Sequence, residues 1–124
     1  MSYSLRVTLI SLTLAALTLA AVVFAPRVTE ITVVDQSPNG SSVALDNPIS
    51  ITFSRPVDQH SAERAFVLYP TVKGRFEWRD QTLVFLPGEP LRPQTSYRVT
   101  IRPGLRDTHG YTNRTPTSWP FRTR

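Results

Sequence analysis

The sequence has no cysteine, only two histidines and a single lysine among its 124 residues. The lack of cysteine excludes disulfides, thiolate metal sites, iron–sulfur clusters and cysteine nucleophiles. Two histidines leave little for acid–base or metal chemistry, so we expect a protein that is not an enzyme. Acidic residues are also few: 9 against 14 basic ones, a formal net charge of +5. The length accommodates one domain, at about 150 residues per domain.

One long stretch near the N-terminus, Val7–Ala25, carries no charge. As a helix it would rise about 28 Å, close to the roughly 30 Å hydrocarbon core of a bilayer. A basic N-terminus before it predicts that the chain after it lies outside the cytoplasm. An uncleaved membrane anchor fits the length. A cleaved signal peptide fits the small residues at Thr18-Leu19-Ala20, and a buried core helix is a third alternative. We assign 1–27 to a signal peptide or signal anchor and 28–124 to an exported domain.

After this segment the sequence shows no sustained helical periodicity, and short β-rich runs alternate with Pro, Gly, Asn and Asp. This pattern predicts a β-sandwich. Asp80-Gln81 joins two of the runs closely enough for a hairpin, and Gln59–Arg64 is the one short helical candidate. The seven predicted strands are Ile31–Asp35, Ile49–Ser54, Ala65–Tyr69, Arg75–Arg79, Thr82–Leu86, Tyr97–Arg102 and Trp119–Thr123.

Several of these runs alternate apolar and polar residues, which predicts one buried and one solvated side for each strand. Two sheets that close over the apolar sides give a sandwich. The clearest inward sets are Ile49, Ile51 and Phe53, then Phe76 and Trp78, then Tyr97, Val99 and Ile101, and finally Trp119 and Phe121.

Tyr97 opens its predicted strand after a Leu-x-Pro corner at Leu91–Pro93. This arrangement is typical of the tyrosine corner of Greek-key sandwiches, in which the phenol hydrogen-bonds to backbone a few residues upstream. The alternative is an ordinary core tyrosine. We predict a structural tyrosine corner at Tyr97.

The ordered series of segments resembles the SbsA-type Ig-like domain of bacterial S-layer and other surface proteins. The resemblance implies an extracytoplasmic, immunoglobulin-like Greek-key sandwich that serves a structural or ligand-presenting role. It implies no catalytic residue and no cofactor. The segments that carry it are Ile31–Gly40, Val43–Val57, Ala65–Pro70, Gly74–Pro87, Leu91–Ile101, Gly104–Gly110 and Trp119–Thr123.

The residues that could support chemistry do not form a convincing site. His60 and Glu63 have the spacing of two ligands on one helical turn, but zinc needs three or four protein ligands. Asp107 and His109 lack a serine to activate, and Asp107 is better explained as a residue that caps its own loop. No run of carboxylates suggests calcium, and no glycine-rich loop suggests phosphate. We therefore predict no catalytic, cofactor-binding or metal site.

Arginines supply the remaining candidate site. Seven of the thirteen follow Leu91, where Asp107 is the single acid. Arg98, Arg102 and Arg122 fall on the polar sides of two strands expected to be neighbours. Such a surface could bind an anionic polymer outside the cell. The alternative is a solvated surface on which arginine stems cover apolar groups.

We thus expect a non-catalytic module with a structural or protein-interaction role at the bacterial surface. The second hypothesis is a module that binds a cell-wall or other anionic polymer. The sequence ends at Arg124, and on that basis we expect a displayed interaction domain rather than a spacer. The expected partners are the membrane, if the N-terminal segment is uncleaved, and an envelope protein or polymer. Specific nucleic-acid binding is not expected, because the aromatic residues alternate inward. The pattern leaves the oligomeric state open.

Overall fold

A computed structural model of the chain describes residues 30–124. The predicted N-terminal helix, whether signal peptide or anchor, lies outside these residues. Among residues 30–124, no helix has the length and apolar character that a membrane crossing requires.

Seven strands and one short helix make up the described chain. In order they are β1 (Val33–Ser37), β2 (Ile49–Phe53), α1 (Gln59–Ala65), β3 (Phe66–Tyr69), β4 (Gly74–Arg79), β5 (Thr82–Pro87), β6 (Ser96–Ile101) and β7 (Thr117–Arg122). All seven predicted strands are confirmed, and so is the short helix.

The strands form two antiparallel sheets. The first has the order β1-β2-β5-β4 and the second the order β3-β6-β7. This division of seven strands into four and three is that of constant-type immunoglobulin domains. The predicted all-β, immunoglobulin-like sandwich is therefore confirmed for the described part of the chain.

The core lies between the two sheets and is built from the alternating positions of the strands. Ile49, Ile51 and Phe53 of β2 are at most 1% exposed, as the alternation predicts. From the second sheet Tyr97, Val99, Ile101, Trp119 and Phe121 face them. Phe76 and Trp78 are only partly buried and pack against the edge of this core, because β4 is the edge strand of the first sheet.

The first strand is the least accurately predicted. It begins at Val33 rather than Ile31 and ends at Ser37 rather than Asp35. Its register against β2 shifts between Val33 and Asp35, and the residue between them, Val34, is 60% exposed. The prediction depends on the β-rich composition of the run, which does not specify where pairing with β2 begins or where an extra residue is inserted.

The segment after β1 lies beside the end of β7. Val43 and Thr123 form a parallel bridge. Three backbone hydrogen bonds join the two segments: Arg122 N–H donates to Gly40 O, Val43 N–H to Arg122 O, and Arg124 N–H to Val43 O, at 2.9–3.1 Å. The C-terminal part of β7 is therefore covered along its outer edge.

Candidate functional site

The second sheet turns one side to the core and the other to solvent. We call the solvent side the outer face. The pairing of β3 with β6 and of β6 with β7 sets its rows, of which one joins Tyr69, Arg98 and Pro120. The outer face consists of Val67 and Tyr69 from β3, Ser96, Arg98 and Thr100 from β6, and Ser118, Pro120 and Arg122 from β7.

Tyr69 is the most exposed large hydrophobic residue of the described chain, at 72%. It lies directly across from Arg98 in the register of β3 and β6. Val67, Tyr69, Arg98, Thr100 and Pro120 line a shallow depression of about 400 Å³ together with Ser96 and Tyr97. The row thus places an aromatic ring, a guanidinium and a proline ring next to one another.

The sequence analysis did not single out Tyr69. In the predicted run Ala65–Tyr69 every residue is apolar, so no alternation indicates which side chains face solvent. Only the pairing with β6, whose alternation is clear, assigns Val67 and Tyr69 to the outer face.

Arg98 and Arg122 both lie on the outer face, on adjacent strands as expected. They are diagonal neighbours, a relation that usually separates two residues by about 7–8 Å. Each guanidinium donates to a serine hydroxyl, Arg98 Nη1 to Ser118 at 3.0 Å and Arg122 Nη1 to Ser96 at 3.2 Å. Across residues 30–124, the ion pairs are formed by other side chains.

Arg102, the third residue of the predicted arginine surface, lies apart from this pair. It follows the last residue of β6, and its Nη2 donates to the carbonyl of Arg64 at 3.1 Å. A cation at this position interacts favourably with the carbonyl end of a helix, here α1. The structure therefore brings two of the three predicted arginines together on the outer face and assigns the third to the end of α1.

Tyr97 points inward beneath the outer face and is 1% exposed. Its hydroxyl accepts the N–H of Arg92 at 2.9 Å, and its ring stacks on Phe121 with 5.4 Å between centroids. A contact with backbone five residues upstream is the one that the tyrosine-corner prediction requires.

Asp107 is a buried carboxylate, with a side chain 1% exposed. Its Oδ1 accepts the backbone N–H groups of His109 and Tyr111 at 2.9 and 2.8 Å, and its Oδ2 accepts from Arg55 at 3.2 Å. Burial alone raises the pKa of Asp107, but the hydrogen bonds from Tyr111, His109 and Arg55 and the charge of Arg55 outweigh it and lower the pKa below 3.8. The prediction that Asp107 caps its own loop is confirmed.

The other candidates for chemistry remain separate. His60 Nδ1 lies 3.8 Å from Glu63 Oε2 on the exposed side of α1. In the described part of the chain, no three His, Cys, Asp or Glu residues group as metal ligands would. A depression of about 750 Å³ lies beside the start of β4. Its lining includes both basic residues, Lys73 and Arg75, and the acidic residue Glu89, so its charge is mixed.

The two sheets and their strand order define a class of protein, the immunoglobulin-like domain. Residues 23–123 match the family model of the bacterial Ig-like domain. The chain belongs to this family, which is a family of non-catalytic domains. No curated protein matches the chain.

Solved structures similar to this chain include both enzymes and a surface protein. The L,D-transpeptidase LdtMt1 in complex with imipenem is 26% identical with a TM-score of 0.56, and the match covers 73% of this chain and 38% of that protein. L,D-transpeptidase 3 from Mycobacterium tuberculosis is 24% identical with a TM-score of 0.53, covering 74% and 37%. The N-terminal part of the bacterial S-layer protein SbsC is 23% identical with a TM-score of 0.52, covering 77% and 24%. This chain thus spans less than two fifths of each of these proteins, and the two matches below 25% identity show a common fold.

Proposed function

We propose that this chain is a non-catalytic Ig-like module on the extracytoplasmic side of the bacterial envelope, where its outer face contacts another envelope component. Membership of the bacterial Ig-like family and the likeness to an S-layer protein support the location. The apolar segment Val7–Ala25 supports export. Within the family we assign the chain to the SbsA type, on the segments that carry the resemblance.

One observation carries the interaction role. Tyr69 is 72% exposed on the solvent side of a regular sheet, at the end of the edge strand β3, where a solvated strand more often has a polar residue. Aromatic residues and arginine are the side chains most enriched where proteins bind one another. The row that places Tyr69 beside Arg98 therefore favours contact with a partner over mere solvation.

The location is tested with the full chain carrying a C-terminal tag in a bacterial host. We expect the tag to be digested by protease added to spheroplasts. In a separate, undigested sample the mass of the protein indicates whether the N-terminal segment is retained. A full-length mass in the membrane fraction identifies an anchor, and a mass shorter by about twenty residues identifies a cleaved signal peptide. A tag that is protected until the cells are lysed would contradict export.

The interaction is tested by cosedimentation of the tagged chain with isolated bacterial envelopes. Arg98→Glu/Arg122→Glu is expected to reduce the bound fraction. The matched control is Arg75→Glu/Arg79→Glu, which changes the net charge equally on the exposed positions of β4. Equal binding by both double variants would contradict a role for the outer face.

A second candidate function is binding of an anionic polymer. Arg98 and Arg122 donate only to serine hydroxyls among the hydrogen bonds of the outer face, and the face carries no carboxylate to neutralise them. Polymer binding would weaken steeply as salt screens the guanidinium charges, whereas contact with a folded protein through Tyr69 would weaken less. The salt dependence of cosedimentation distinguishes the two.

A further inference from the structure

The outer face combines three kinds of side chain: the exposed aromatic ring of Tyr69, two guanidinium groups that donate to serine hydroxyls, and those hydroxyls themselves. From this combination we infer that the ligand is a carboxylate-bearing glycan, with Tyr69 as the stacking platform and Arg98 as the carboxylate-binding residue. The inference rests on the proposed function of the outer face and names the chemical class of its ligand.

The geometry is that of one row across three strands. Neighbouring strands lie about 4.8 Å apart, so Tyr69, Arg98 and Pro120 together span roughly 10 Å. All three residues of this row are exposed, which suits an extended chain lying on the surface rather than a small molecule enclosed by the protein. A pyranose ring presents apolar C–H groups on its face, and these can pack on the rigid, exposed ring of Tyr69.

Arg98 supplies the charge recognition. A guanidinium has five N–H donors in a planar fork that matches both oxygens of a carboxylate. Arg98 uses one of its nitrogens for Ser118, and the remaining donors are available at the solvent side. Arg122, a diagonal neighbour on β7, offers a second guanidinium to the next charged sugar. Ser96 lies across from Arg122, and Thr100 and Ser118 form the row on the other side of Arg98, so hydroxyls flank Arg98 as partners for sugar hydroxyls.

Two other classes of anionic chain fit the same surface less well. A polyphosphate would use the arginines but would gain nothing from Tyr69 or Pro120. A single-stranded nucleic acid stacks successive bases on successive aromatic residues, and Tyr69 is the one aromatic side chain on the outer face. A carboxylated glycan uses the ring, the guanidinium groups and the hydroxyls together.

The experiment measures binding of the full, tagged chain to polygalacturonate, with dextran, polyphosphate and polyglutamate as comparison polymers. We expect polygalacturonate to bind most tightly. Tyr69→Ala and Arg98→Ala are each expected to weaken its binding about tenfold, the loss typical of one charge-assisted hydrogen bond or one stacking contact.

The controls separate the ring from its hydroxyl and the site from general charge. Tyr69→Phe keeps the ring and is expected to retain binding. Arg79→Ala removes one positive charge from an exposed position of β4 and is expected to leave binding unchanged. Circular dichroism of each variant establishes that the sandwich is folded.

The outcomes are distinguishable. Equal binding of polyphosphate or polyglutamate, with no effect of Tyr69→Ala, would overturn the glycan inference in favour of general charge attraction. If polygalacturonate fails to bind while envelope cosedimentation still depends on Arg98 and Arg122, the glycan inference is wrong and the proposed function stands. If cosedimentation is also independent of these arginines, the glycan inference and the proposed function of the outer face are both wrong.

Discussion

At the scale of single residues, the hydroxyl of Tyr97 joins the second sheet to the corner that precedes it. Tyr97→Phe removes the acceptor of the Arg92 N–H and leaves the stacking on Phe121 in place. We expect the free energy of unfolding to fall by about 1 kcal/mol, the usual net value of one hydrogen bond. Urea denaturation measures it, and an unchanged midpoint would show that Tyr97 is an ordinary core tyrosine.

Asp107 gives the stability of the domain a dependence on pH. Because its pKa is lowered in the folded chain, its contribution is present above the ordinary value of 3.8 and is lost as the pH falls through the folded pKa. Asp107→Asn keeps an acceptor oxygen for the loop N–H groups but loses the attraction to Arg55.

We expect Asp107→Asn to be less stable than the parent at pH 7, and the difference to shrink as the pH falls below about 4. Urea midpoints of both chains across this range measure the difference. Glu89→Gln, at an exposed carboxylate, is the control and should track the parent throughout. If the stability difference between the parent and Asp107→Asn stays constant with pH, the charge of Asp107 does not contribute to stability.

At the scale of elements, Gly74 lets β4 approach β5 closely at the first position of their pairing. A Cβ at Gly74 would lie 2.3 Å from Leu86 O and 2.6 Å from a ring carbon of Phe85. Backbone cannot yield as a flexible side chain does, so we expect Gly74→Ala to destabilise the domain by about 1–3 kcal/mol. Gly88→Ala, whose nearest contact would be 3.2 Å, should cost less. Thermal unfolding of the two variants measures the order, and equal melting temperatures would contradict it.

The elements also show how far sequence reasoning reaches. In β2 and β6 strict alternation predicts which residues are buried, because one side of each strand packs on the core. In β3 the alternation is hidden by four apolar residues in succession, so the exposed Tyr69 could be recognised only from its partner strand. In β1 the register shift at Val34 displaces the strand by two residues, since a bulge depends on backbone pairing that the local sequence does not specify.

The candidate site was predictable in part, because strand alternation also indicates which residues face solvent. Arg98 and Arg122 follow from alternation in β6 and β7, which pair as expected. The position of Arg102 depends instead on α1, whose last turn brings the carbonyl of Arg64 within reach. A contact between residues 38 positions apart is set by tertiary packing rather than by strand periodicity.

At the scale of the whole molecule, the described residues share one core that both sheets line. Within residues 30–124 neither sheet has a separate core of its own. We therefore expect a single cooperative unfolding transition for this part of the chain. Trp78 lies on the first sheet and Trp119 on the second. Tryptophan fluorescence and far-ultraviolet circular dichroism should therefore give the same midpoint. Separate transitions by the two probes would show that the sheets unfold independently.

The segment that lies beside β7 determines how the domain would respond to mechanical tension. Glu30 accepts the N–H of Arg114 before β7 begins, whereas Arg124 lies beyond its other end, so residues 30 and 124 lie at opposite ends of the sandwich. Tension applied between them would pull residues 40–43 and 122–124 in opposite directions along their shared axis. The three hydrogen bonds that join these parallel segments would then be loaded together in shear instead of opening one after another, a geometry that resists stretching.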